Sequence, residues 1–202
     1  MTAEAPAQEA VAASRAGRAV FVPAVVVAVC SAAVLTTSGR WEGGIRFAVV
    51  TVVLLAARAV APPLFAAAFA AFLLLATWAS VEHWYVTLGQ FDEAVHFLTP
   101  GSLAAVGYFA LVRGRLLPDP DETTGLRRWV PMVWVTLVGV TGATVWEFYE
   151  WTVEQVAPDQ MMAVGYTDTI MDLMAGTLGS LTAGALVLAW RRRAAATRHA
   201  RG

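Results

Sequence analysis

Residues 63–81 read PLFAAAFAAFLLLATWASV, nineteen positions without one charged side chain. At a helical rise of about 1.5 Å per residue this stretch covers about 28 Å, close to the hydrocarbon thickness of a bilayer. Working outward, residues 19–37 and 45–61 before it, and 94–113, 129–150 and 167–190 after it, carry the same apolar character. Pro62-Pro63 marks the break between the second and third stretches, because proline cannot continue a helix interior. The sequence therefore predicts an all-α, polytopic membrane bundle of about six transmembrane helices.

Composition points the same way. Of 202 residues 58% are apolar and 14% charged, against about 45–50% and 25% in soluble domains. Mean hydropathy is +0.60. A net charge of −1 argues against a nucleic-acid partner, and the single Cys30 can close no internal disulfide. The partner is the lipid bilayer. Residues 1–18 read as a disordered cytoplasmic tail, 19–190 as the transmembrane domain and 191–202 as a basic cytoplasmic tail, with 114–128 (GRLLPDPDETTGLRR) as the one sizeable polar loop.

Every basic residue except histidine is arginine, and arginine placement sets the orientation, because cytoplasmic loops retain Lys and Arg. With both termini inside, twelve arginines fall on the inner side and only Arg40 and Arg46 outside. A multi-pass protein of the bacterial inner (plasma) membrane is expected on this basis.

The acids sit opposite those arginines. Nine of fifteen fall in two intervals free of arginine: Glu82, Asp92, Glu93, Glu147, Glu150, Glu154, Asp159, Asp168 and Asp172. His96 is 17 residues from Arg113, Glu147 is 19 from Arg128 and Asp172 is 18 from Trp190. Helical rise puts all three about 26–28 Å above the inner boundary. Asp92 and His96 at i,i+4, Glu147 and Glu150 at i,i+3, and Asp168 and Asp172 at i,i+4 each share a helix face. Beneath them the stripes turn small (Gly139 and Ala143; Gly176, Ser180 and Gly184), which lets membrane helices approach closely. The acidic faces are thus expected to point at one another, facing the outside of the membrane. Small-residue stripes are also compatible with an oligomer.

These blocks, Phe91-Asp92-Glu93-Ala94-Val95-His96-Phe97, Trp146-Glu147-Phe148-Tyr149-Glu150-Trp151 and Tyr166-Thr167-Asp168-Thr169-Ile170-Met171-Asp172-Leu173-Met174, carry a resemblance. Over about residues 80–185 the chain resembles the YjdF-like family of bacterial inner-membrane proteins in the order, spacing and helix position of the acid and histidine blocks. It is more loosely similar to VanZ-like membrane proteins, which also pair a D-x-x-x-H-F helix with later acids. The resemblance implies a fold and an acid–histidine site, and no substrate.

Each residue has a plainer role beside the chemical one. Asp92 and Asp168 suit helix starts, Trp84, Trp146, Trp151 and Tyr149 suit an interfacial belt, and Glu93 suits a wet loop. Glu147, at a helix exit where the dipole disfavours anions, and Asp172, a turn inside its helix, fit those roles poorly. Carboxylates gathered without a local cation need a metal ion, bound protons, a cationic ligand or an open vestibule of water. Carboxylates with imidazole suit Mn²⁺, Zn²⁺ or Fe²⁺, and Mg²⁺ or Ca²⁺ less specifically. The candidate ligands of a divalent metal ion are Asp92, His96, Glu147, Glu150, Asp168 and Asp172, with His83 and Glu82 as secondary candidates.

Three functions fit this pattern. A bound cation could serve a hydrolase or transferase acting on an amphiphilic or lipid-linked headgroup substrate. The same acids could form a proton or cation relay of a transporter, although below the site the spans offer only scattered Thr and Ser. A non-catalytic membrane scaffold would use the small-residue stripes alone. No Gly-x-Ser-x-Gly elbow, P-loop or His-Glu-x-x-His helix is present, which removes the chemistries those motifs carry.

Overall fold

A computed structural model describes residues 4–88, 91–120, 122–123, 125–157 and 165–199. It consists of α1 (Glu4–Thr37), α2 (Trp41–Val60), α3 (Pro63–Val81), the single-turn α4 (Trp84–Thr87), α5 (Phe91–Arg113), α6 (Val130–Val156) and α7 (Tyr166–His199). Six of these helices, all but α4, are long and apolar enough to cross a membrane. No strand occurs among the described residues.

The boundaries follow local chemistry. Ala61 and Pro62 are extended (φ −101°, ψ 152° and φ −57°, ψ 149°), and Pro63 occupies the first turn of α3, where a missing N–H costs nothing. The stretch expected to be a disordered tail is helical from Glu4 onward, in keeping with the high helix propensity of its alanines. Likewise α7 carries the terminal arginines to His199 as one continuous helix. α5 starts at Phe91 and runs through Pro100, so the Asp92–His96 turn belongs to the spanning helix.

The helices form two trios. α1, α2 and α3 pack on one another, as do α5, α6 and α7, with α3 against α5 as the main bridge. The first trio closes at Gly17, where a Cβ would stand 2.6 Å from the carbonyl carbon of Pro63. The second closes more tightly. A Cβ on Gly101 would stand 2.7 Å from the Gly179 carbonyl oxygen, one on Gly176 2.9 Å from Ala143 Cβ, and one on Gly184 2.9 Å from the Met132 carbonyl. Gly139 likewise leaves room for Ser180. Lipid tails are as apolar as leucine, so close backbone approach rather than apolar burial drives this packing.

The interior is small-residue-rich between larger plugs: Phe47, Leu54, Tyr108, Val135 and Val187 are fully buried. At the arginine-rich end Phe65, Phe109 and Trp190 form an aromatic cluster with centroids 5.3–5.9 Å apart. Beside it Arg191 pairs with Asp119.

Candidate functional site

The tight second trio decides where the acids stand. On α6 the buried positions run Pro131, Val135, Gly139, Ala143 and Glu147, one inward stripe at four-residue spacing. Because Gly139 and Ala143 let α7 come in against that stripe, Glu147 and Asp172 arrive at one level. His96 descends from α5 to meet them. Among the described residues these three are the buried acid and histidine side chains, with relative exposures of 5% for His96, 7% for Glu147 and 2% for Asp172.

His96 is the hub. Its Nε2 lies 3.4 Å from Asp92 Oδ1, while its Nδ1 lies 3.6 Å from Glu147 Oε1 and 3.9 Å from Asp172 Oδ1. The two ring nitrogens therefore face different acids. Two sets, Asp92–His96–Asp172 and His96–Glu147–Glu150, bring one ligand atom from each member within 4.8 Å of the others. Several carboxylate oxygens here are buried without a hydrogen-bond partner: Glu147 Oε1, Asp172 Oδ2, Asp168 Oδ2 and Glu93 Oε2. Buried acceptors are normally satisfied, and each one left open calls for a partner of its own.

Pro100 contributes from below. Having no N–H, it leaves the His96 carbonyl without its helical donor. That carbonyl lies 3.5 Å from the point a Gly176 Cβ would occupy. A bare α7 backbone thus faces the interrupted turn of α5.

The remaining candidates divide. Glu150 is engaged by the Trp146 indole, whose Nε1 donates to Oε1 at 2.8 Å, and Asp168 stands one turn before Asp172 on α7. Glu82 and His83 are not part of the cluster. Arg40 donates to Glu82 Oε1 at 2.8 Å and to the Val81 carbonyl at 2.9 Å. The expectation that the acidic end lacks guanidinium neighbours therefore needs correction at Glu82, whose partner lies 42 residues away in sequence. The exposed His83 adopts a left-handed turn (φ 54°, ψ 36°) leading into α4. Asp159 lies outside the described residues. Among the described residues no arginine pairs with Asp92, Glu147, Glu150, Asp168 or Asp172.

Three participants were not singled out from sequence. Trp146, expected only as belt, holds Glu150. Arg46 donates from Nη1 to Ser80 at 2.6 Å and pairs with Glu42, so an arginine does reach this end of the bundle. Tyr85, on α4, donates to the Ala76 carbonyl at 2.9 Å. Burial, together with the nearby Asp92 and Glu150 carboxylates, pushes its phenol well above the usual range. Tyr85 therefore stays a neutral donor. Aromatic residues in an interfacial stretch have too common an explanation for sequence to single one out.

The family described as predicted membrane protein (DUF2238) matches residues 16–193. The chain belongs to that family and is an integral membrane protein. Neither the curated proteins nor the solved structures include a match to it.

Proposed function

We propose that the protein binds a divalent cation at the acidic end of its second helix trio, and that this site acts on the headgroup of a membrane amphiphile at the outer face of a bacterial inner membrane. One observation carries the cation: His96 Nδ1 faces buried carboxylate oxygens from two other helices, Glu147 on α6 and Asp172 on α7, at 3.6 and 3.9 Å. A metal ion takes ligand atoms at about 2.0–2.2 Å, so separations of this size suit a shared ion better than a direct hydrogen bond, which needs about 2.7–3.2 Å. Glu147 Oε1 and Asp172 Oδ2 are buried without a hydrogen-bond partner, which leaves acceptors open for an ion.

The ring geometry divides the labour. Nδ1 of His96, Glu147 and Asp172 form the ligand face, with Glu150 beside them. On the far side of the ring Asp92 Oδ1 stands 3.4 Å from Nε2, placed to orient the imidazole. Trp146 steadies Glu150. A bound divalent ion in such a site polarises a phosphoryl or carbonyl oxygen or lowers the pKa of a water. The resemblance to the YjdF-like family is consistent with this site and adds no substrate to it.

A proton or cation relay finds less support. Below the site Thr136, Thr144, Thr177, Ser180 and Thr182 each donate to a carbonyl four residues back on their own helix. They do not form a chain toward the arginine-rich end.

Metal analysis of the purified full-length chain tests the proposal. Wild type is expected to carry a stoichiometric divalent ion that Asp172→Asn and His96→Ala lose while keeping their helical content. A metal-free wild type, loaded or not with Mn²⁺ or Zn²⁺, or variants with unchanged metal, would overturn it.

A further inference from the structure

Between the two trios lies a cavity of about 370 Å³, lined by α2, α3, α5 and α6 together with Tyr85. That volume falls within the ligand-pocket range of about 300–1,000 Å³. Its walls are ordered by depth. At the acidic end stand Arg46, Ser80, Tyr85 and His96; deeper toward the arginine-rich end come Leu73, Val50 and Leu103. From Ser80 down to Leu73 is seven residues of α3, and from His96 down to Leu103 is seven residues of α5. Both give about 10 Å of depth at helical rise. One end is polar, and below it the wall is mainly apolar, interrupted by Thr77 and Thr99.

The opening faces sideways. α2 and α6 are not packed on each other, and their cavity-lining residues Ile45, Val49, Trp146 and Tyr149 are also exposed on the outside of the bundle. In a bilayer that mouth meets lipid, not water. Soluble ligands would need to cross apolar surface to enter, whereas a lipid tail enters without leaving its own phase.

We infer that this cavity holds the hydrocarbon tail of a membrane amphiphile, admitted laterally between α2 and α6, with its polar head at the level of Arg46, Tyr85 and His96. The assignment of that amphiphile as substrate rests on the proposed cation site; the seating of the tail does not. His96 belongs to both, lining the cavity and contacting Asp92, Glu147 and Asp172. A head held there would lie beside the acid cluster, and the tail would fix which lipid bond comes to it.

The experiment uses the full-length protein in phosphatidylcholine nanodiscs containing phosphatidylglycerol with a photoreactive diazirine in its tail. Peptide mapping is expected to find cross-links at Leu73 and Leu103 in addition to the lipid-facing Leu55 and Leu64. Ala76→Phe, which fills the cavity, should lose the inner cross-links and keep the outer ones. Val49→Trp narrows the mouth at an exposed position, leaves the core untouched, and should do the same. Absence of inner cross-links in wild type, or their survival in both variants, overturns the tail site. Metal content is read in parallel. Ala76→Phe with full metal and no inner cross-links supports the tail site independently of catalysis. Asp172→Asn with inner cross-links but unchanged metal overturns the cation site and leaves the tail site standing.

Discussion

At the scale of single residues, one imidazole ring organises the site, and its two nitrogens predict different phenotypes. Removing a ligand on the Nδ1 side, as in Asp172→Asn, should abolish stoichiometric metal. Asp92→Ala, which removes the carboxylate facing Nε2, should keep metal but weaken its affinity by about 10–100-fold, the usual cost of losing the group that orients a histidine ligand. Equal losses in the two variants, measured by competition with a fluorescent chelator, would place Asp92 among the ligands instead. Tyr85 supplies a pH prediction. Its phenol titrates higher in the folded protein than in the unfolded chain, so its contribution is complete below the unfolded value of about 10 and is lost as pH rises beyond it. Tyr85→Phe should therefore unfold with a shallower alkaline limb than wild type; identical limbs above neutral pH would remove Tyr85 from the account. His96, Glu147 and Asp172 were legible in the sequence because each is a charged or titratable group inside an apolar run, where such groups are rare and functional. Arg40 and Arg46 were not, because their partners Glu82 and Ser80 lie 42 and 34 residues away, beyond any helical spacing rule.

At the scale of elements, helix contacts without side chains hold the second trio in register. Gly101→Ala would drive a Cβ to 2.7 Å from the Gly179 carbonyl, and overpacking of this kind costs about 1–3 kcal/mol. A lowered thermal midpoint in detergent checks it; an unchanged midpoint would mean that α5 and α7 slide freely. Pro100→Ala probes the interrupted turn. It restores an N–H below the His96 carbonyl and removes a helix-interior proline, a penalty of about 3 kcal/mol in ordinary helices. The variant should be no less stable than wild type, yet bind metal more weakly because α5 delivers His96 at a new angle. Lower stability with unchanged metal affinity would assign Pro100 to packing alone. The six spans and the continuation of α5 through Pro100 were readable from apolar length. The helical extension of α1 back to Glu4 was not, since a few scattered charges among alanines read as readily as a solvated tail.

At the scale of the whole molecule, the proposed orientation predicts sidedness. In a background lacking Cys30, Ser38→Cys and Gln155→Cys should react with a membrane-impermeant thiol reagent on intact spheroplasts, and Leu116→Cys only after lysis; the reverse pattern would invert the protein and its site. The division into trios has a consequence of its own. The clustered acids and histidine, from Asp92 to Asp172, come from the last three spans, while α2 and α3 supply much of the greasy wall, with Arg46 and Ser80 at its polar end. Working parts thus lie in one half of the chain, while the cargo-fitting wall is shared between the two halves across a seam. Related proteins that handle chains of different length or branching would then diverge in their N-terminal half and retain the C-terminal half intact. Exchanging the first three helices between two such proteins should transplant the choice of lipid without rebuilding the chemistry.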